Sequence, residues 1–147
     1  MAFTKLSIAL FAVALTGAAT AAGVISARQG NYKQIGKANK AINDELRKPA
    51  PAIAVIQANA VILDTLAPRI PSWFPKGTGP EAGVKTAALP AIWQRNPEFQ
   101  AAARNFAIAA HNFRAAAASG DMNRVRAALP AVGTSCRSCH ETFRAKD

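Results

Sequence analysis

The sequence predicts an all-α fold, an antiparallel four-helix bundle, and three observations predict it. Half of the residues are hydrophobic while only 7% are aromatic, and much of the apolar half is alanine, the strongest helix former. Apolar residues recur at three- and four-residue intervals in four separate segments. Proline and glycine clusters divide those segments by one long and two short connections, the connectivity of such a bundle. At 147 residues the chain suffices for one domain with a core and not for two.

The chain opens "MAFTKLSIALFAVALTGAATAAG", with one cation at Lys5, an apolar run from Leu6 to Leu15, and small residues ending in Ala19, Thr20, Ala21 and Ala22. This is the layout of a secretory signal peptide over residues 1–22, cleaved after Ala21 or Ala22. The apolar run is half of the roughly 20 residues that span a bilayer, so no membrane anchor is expected to remain. The mature bundle domain is then 23–147, in an oxidising compartment outside the cytoplasm.

The first helix is predicted over Val24 to Arg47, with Val24, Arg28, Tyr32, Ile35, Ile42 and Leu46 near one face and lysines opposite. Pro49 and Pro51 stop it. The second runs from Ala52 to Leu66 with the stripe Ile53, Ile56, Ala60, Leu63 and Leu66, and Pro68 is expected to close it. Residues 67–97 hold six prolines, three glycines and both tryptophans. So long a loop is functional or disordered, and Trp73, Phe74, Ile92 and Trp93 carry too much apolar surface for disorder, which predicts an ordered crossover packed on one end of the bundle.

The third helix, Glu98 to Ala118, repeats Phe99, Ala103, Phe106, Ala110, Phe113 and Ala117 at spacings of four and three, a seam of alternating aromatic and alanine layers. Gly120 and Asp121 supply a C-cap and the next N-cap. The fourth helix, Met122 to Arg144, turns Val125, Leu129, Val132 and Cys136 inward, and Pro130 with Gly133 is expected to bend it before the cysteines.

Formal charge is +10, and losing Lys5 with the leader leaves +9. Lys33, Lys37, Lys40, Arg104, Arg114, Arg124 and Arg126 are spread over several segments without a basic block or interleaved aromatics, which argues against nucleic-acid binding. They predict solvated helix faces that steer acidic partners. No phosphate-cradling glycine loop and no carboxylate pair appears.

Both cysteines fall in "TSCRSCHETFR", residues 134–144. Cys136, Cys139 and His140 spell C-x-x-C-H, the attachment sequence of a c-type haem. On a helical turn, thiols three residues apart project to one side and can each add to one vinyl group of a porphyrin, and His140 then brings its imidazole to the iron. The alternatives are a disulfide or thiol–disulfide redox pair, which ordinarily opens a helix after a strand, and a zinc site, for which His111 is the one spare imidazole. An inserted macrocycle would also fill the voids that an alanine-rich bundle leaves.

With these residues in place the sequence resembles cytochrome c′, the c-type cytochromes that carry haem near the C-terminus of a four-helix bundle. The likeness rests on "RQGNYKQIGKANKAI", "WFPKGT", "ALPAIW" and, most specifically, "SGDMNRVRAALPAVGTSCRSCHETFR". It implies a periplasmic protein with one covalent haem c per chain, often homodimeric through its first two helices, that transfers electrons to redox partners or binds nitric oxide or carbon monoxide. It implies that Cys136 and Cys139 hold the haem, that His140 is the axial ligand, that Arg144 lies beside the proximal face, and that Arg28 and Gln29 contact the haem and its propionates. The other reading of Arg28 and Arg144 is a solvated cation.

In this family the residue four after Arg28 decides the chemistry: methionine there fills the sixth coordination site, while a bulky residue only covers the iron. Here it is Tyr32, which predicts a five-coordinate haem; a core tyrosine is the other reading. Met122, 18 residues before His140 on one helix, lies about 27 Å away and cannot ligate, and His111 is expected at a helix edge. Tyr32 as a ligand would need a base or cation to remove its proton. The expectation is therefore gas binding or one-electron transfer, with the first favoured because no strong sixth ligand is present. The alternatives are a six-coordinate low-spin electron carrier and, remotely, a thiol–disulfide protein. No general acid or base is expected over the iron, so enzymatic turnover is not expected.

Overall fold

The computed structural model describes residues 12–146. The first half of the predicted leader, with Lys5, lies outside the described residues. Helix α1 spans Ala12–Leu46, so it begins well before Val24 and runs back through the alanine-rich end of the leader, where helix propensity is high. Its inward face is Ile25, Arg28, Ile35, Ala38, Ile42 and Leu46. Ile25, at 1% exposed, takes the inward position expected of Val24.

At the corner after α1 the buried Glu45 carboxylate accepts the Ala52 N–H at 2.7 Å and the Lys48 ammonium at 2.6 Å. Helix α2, Ile53–Leu66, buries Ile56, Ala60, Leu63 and Leu66. Pro68 does not end the helical path: the chain tightens into a 3₁₀ run, Ala67–Trp73, with Pro68 at its start and Pro71 inside. Proline at the first positions of a helical turn removes an N–H that has no partner there anyway, and the three-residue repeat aligns Ala67, Ile70 and Trp73 on one buried face.

The crossover continues through a 3₁₀ turn, Pro80–Ala82, and a short helix α3, Ala91–Gln94. It is packed, as expected, with Trp73 and Ile92 buried and Phe74 and Trp93 half-buried. Ala88 forms an antiparallel bridge with Arg144. There Leu89 N–H donates to Phe143 O at 3.0 Å and Ala145 N–H donates to Ala87 O at 2.8 Å.

Helix α4, Asn96–Ala118, buries the whole predicted seam from Phe99 to Ala117. Gly120, with φ 72°, makes the left-handed turn that an L side chain would strain. The Asp121 carboxylate then caps helix α5, Met122–Phe143, by accepting the Asn123 and Arg124 N–H groups. The helix runs without interruption through Pro130 and Gly133; Val125 and Val132 are fully buried, while Leu129 and Cys136 are half-buried.

The bundle consists of α1, α2, α4 and α5. Helix α1 packs along α2, α2 along α4, and α4 along α5, whereas α1 and α5 make no extended close approach. No strand occurs among the described residues beyond the single bridge. The α4 seam fills the middle of the bundle with Phe113 and Phe99, and truncating such a ring to alanine costs about 3–5 kcal/mol. This packing leaves one side uncovered, between α1 and α5.

Candidate functional site

That side is a cavity of about 510 Å³, and it gathers every site residue that the sequence nominated: Arg28, Gln29, Tyr32, Cys136, Cys139, His140 and Arg144. Helical spacing explains the gathering. Arg28 and Tyr32 are one turn apart on α1, and Cys136, Cys139 and His140 lie within one turn of α5, so each set shares a face. The volume suits a cofactor site, roughly 300–1,000 Å³. Its walls are mostly apolar, with Ile35 and Ile70 beside Phe74, Phe99, Phe106 and Phe143.

The aromatic rings form a continuous frame. Phe143 meets Phe99 edge-on at 5.4 Å between centroids, Phe99 meets Phe74 at 5.0 Å, and Phe74 meets Tyr32 at 6.3 Å. Trp93 joins through Phe74 and donates its indole N–H to the Phe74 and Pro75 carbonyls. The sequence marked Phe74 as wanting burial but not as part of this frame, because its partners lie on three other segments.

Both cysteines are free thiols, half-buried. Burial raises the Cys136 thiol, and burial followed by the neighbouring Cys136 raises Cys139 to about 11. A redox-active pair requires the opposite shift, toward a thiolate near neutral pH. Among the described residues no group of three histidine, cysteine or acidic side chains could hold a metal. His111 is at the surface as expected, its Nδ1 3.3 Å from Asp64 Oδ1.

His140 is exposed on the cavity wall, and partial burial, then the Arg144 charge, hold its pKa below the ordinary value. Burial first, then Cys139, push Tyr32 well above the usual phenol range, with Arg28 opposing weakly. Tyr32 is therefore a neutral phenol.

Arg28 is 3% exposed and is not a solvated cation. Its guanidinium donates to Thr78 O and Thr86 Oγ1, both at 2.9 Å, to Thr78 Oγ1 at 3.2 Å and to Trp73 O at 3.5 Å. It also sits over the Phe74 ring, 4.5 Å from the centroid. Gln29 donates to Lys85 O at 3.1 Å. Both residues line the cavity, yet their donors hold the crossover, which the sequence could not reveal because Thr78 and Thr86 lie 50 and 58 residues away.

The family model described as cytochrome c′ matches residues 23–144. The chain belongs to the cytochrome c′ family. A cytochrome c′ of Pararhodospirillum photometricum is 39% identical over 111 residues, covering 75% of this chain and 78% of the relative. A solved cytochrome c′ described as having ligand-controlled dimer dissociation superposes with a TM-score of 0.79 at 30% identity, over 86% of this chain and 97% of that one. The nitric oxide complex of a variant cytochrome c′ from Alcaligenes xylosoxidans superposes with a TM-score of 0.74 at 29% identity, over 84% and 94%. Cytochromes c′ are electron-carrying and gas-binding proteins, generally not enzymes, and their cofactor is covalent haem c. The residues here fit that cofactor: an apolar cavity of suitable size, with two thiols and an imidazole on one turn of its wall.

Proposed function

We propose that this chain is an exported protein in which Cys136 and Cys139 hold one haem c as thioethers and His140 is the axial iron ligand. Tyr32 covers the opposite side, leaving the iron five-coordinate and open to nitric oxide or carbon monoxide. The observation that carries the reading is Tyr32 on α1 and the thiol–imidazole turn on α5 lining the same cavity. Bound haem supplies an iron that takes up one electron or holds one diatomic ligand.

The chain's own residues do the rest. His140 favours its neutral form, which leaves a ring nitrogen free to coordinate. Tyr32 keeps its proton and so covers rather than ligates. The apolar aromatic frame makes entry of a hydrated ion costly, which favours small uncharged ligands. Arg144 and Gln29 at the cavity wall are placed for propionates, while Arg28 contributes its buried charge. Likeness to the nitric oxide complex supports gas binding; the same site allows single-electron exchange with acidic partners.

The mature domain, from about residue 23, works in the periplasm as a homodimer through α1 and α2. An apolar outward face on α2, with Val55, Val61 and Ile62 exposed, supports the dimer.

Optical spectra of the ferric and ferrous protein test the iron's coordination. The expected forms are high-spin, Tyr32→Ala should tighten carbon monoxide binding, and Tyr32→Met should give a six-coordinate low-spin spectrum. A low-spin wild type would select the electron-carrier alternative. Spectra and affinities unchanged in both variants would end the distal assignment.

A further inference from the structure

Tyr32 lines the cavity, and a second ring packed against it does not. Trp73 is 8% exposed, has no surface on the cavity, and meets Tyr32 edge-on with centroids 5.4 Å apart at 86°. A phenol that yields to an incoming ligand must therefore move against the indole. The indole is not free to follow. It closes the 3₁₀ run that carries Pro68 and Pro71, whose fixed φ angles stiffen the turn. Its carbonyl accepts from Arg28, and the next residue, Phe74, lies under the same guanidinium. Arg28 in turn is held by the Thr78 carbonyl and hydroxyl, and that hydroxyl donates to Pro75 O at 2.7 Å. The loop behind the phenol is thus anchored to α1 one turn from Tyr32 itself.

We propose that Trp73 is the positioning residue of the distal side: a backstop, fixed to α1 through Arg28 and Thr78, that sets how far Tyr32 can be displaced and hence how tightly a diatomic ligand binds. This rests on the reading of Tyr32 as the distal cover. Affinity is then controlled from the crossover, by a residue that never touches the ligand.

The test uses carbon monoxide affinity of the ferrous holoprotein together with the flip rate of the Tyr32 ring, read by fluorine NMR after 3-fluorotyrosine labelling. Tyr32 is the single tyrosine of the chain, so its signals are unambiguous. Trp73→Leu removes the backstop. Because it cuts into the core, Thr78→Val serves as the second variant, removing one Arg28 acceptor with little change of shape. Both should speed the ring flip and tighten carbon monoxide, Trp73→Leu about three- to tenfold, the ratio corresponding to one lost aromatic edge contact, and Thr78→Val by less because it only loosens the anchor. In a Tyr32→Ala background neither should alter the affinity, since nothing remains to be positioned. If Tyr32→Ala tightens binding while Trp73→Leu and Thr78→Val leave affinity and flip rate at the wild-type values, the backstop is refuted and the distal cover stands. A Tyr32→Ala variant with unchanged affinity removes the cover and the backstop together.

Discussion

Cys136, Cys139 and His140 stood out in the sequence because three reactive side chains within five positions need no knowledge of the fold to be brought together. If their thiols are joined to haem, acid-acetone extraction leaves the pigment with the polypeptide, and Cys136→Ala or Cys139→Ala impairs maturation. Pigment that extracts freely from the wild type would remove the thioether assignment. Tyr32 was legible only through the family resemblance, which singles out the position four after Arg28, and the structure puts both on the cavity wall. What surrounds them was not legible. The partners of Arg28 are two threonines in a loop, and nothing local distinguishes Thr78 or Thr86 from other polar loop residues. Likewise Val24 and Ile25 are equally apolar neighbours, and Ile25 is the one that the bundle buries.

Among the elements, α4 was the most legible, since its Phe–Ala repeat fixes both helix and inward face. The crossover was the least. Its prolines signal the end of an α-helix, but a 3₁₀ run accepts them, so the chain went on winding past Pro68. The α1–α2 corner depends on one side chain. Hydrogen bonds from Lys48 first, and from the Ala52 N–H second, hold the Glu45 carboxyl below its ordinary value of 4.5. A folded-state pKa lowered in this way adds stability that is fully present above the unfolded value and is lost as pH falls through the folded one. Glu45→Gln should therefore lower the melting temperature at pH 7, and the gap from wild type should narrow as melts are repeated below pH 4.5. A gap constant from pH 7 to pH 3 would show that the corner does not depend on the charge.

At the scale of the whole molecule, charge and apolar surface lead to separate expectations. Without the leader, seventeen basic against eight acidic residues should speed encounter with an acidic electron donor. Its reduction rate should fall as salt shortens the Debye length from about 30 Å at 0.01 M to about 10 Å at 0.1 M; a flat profile would mean the cations are too evenly spread to steer. Val55→Glu with Ile62→Glu should convert a dimer into monomers by sedimentation, and an unchanged mass would move the interface off α2. The cavity has a further property, set by chain order. Its walls come from α1, the crossover, α4 and the last turns of α5, and the bridge between Ala88 and Arg144 ties the crossover to the end of α5. The two sets of site residues stand on the first and last helices of the bundle, so the pocket exists only once the helices between them have packed. If Cys136 and Cys139 carry the pigment, they are accessible to whatever joins it to them before that packing, and the cavity closes around a group already in place.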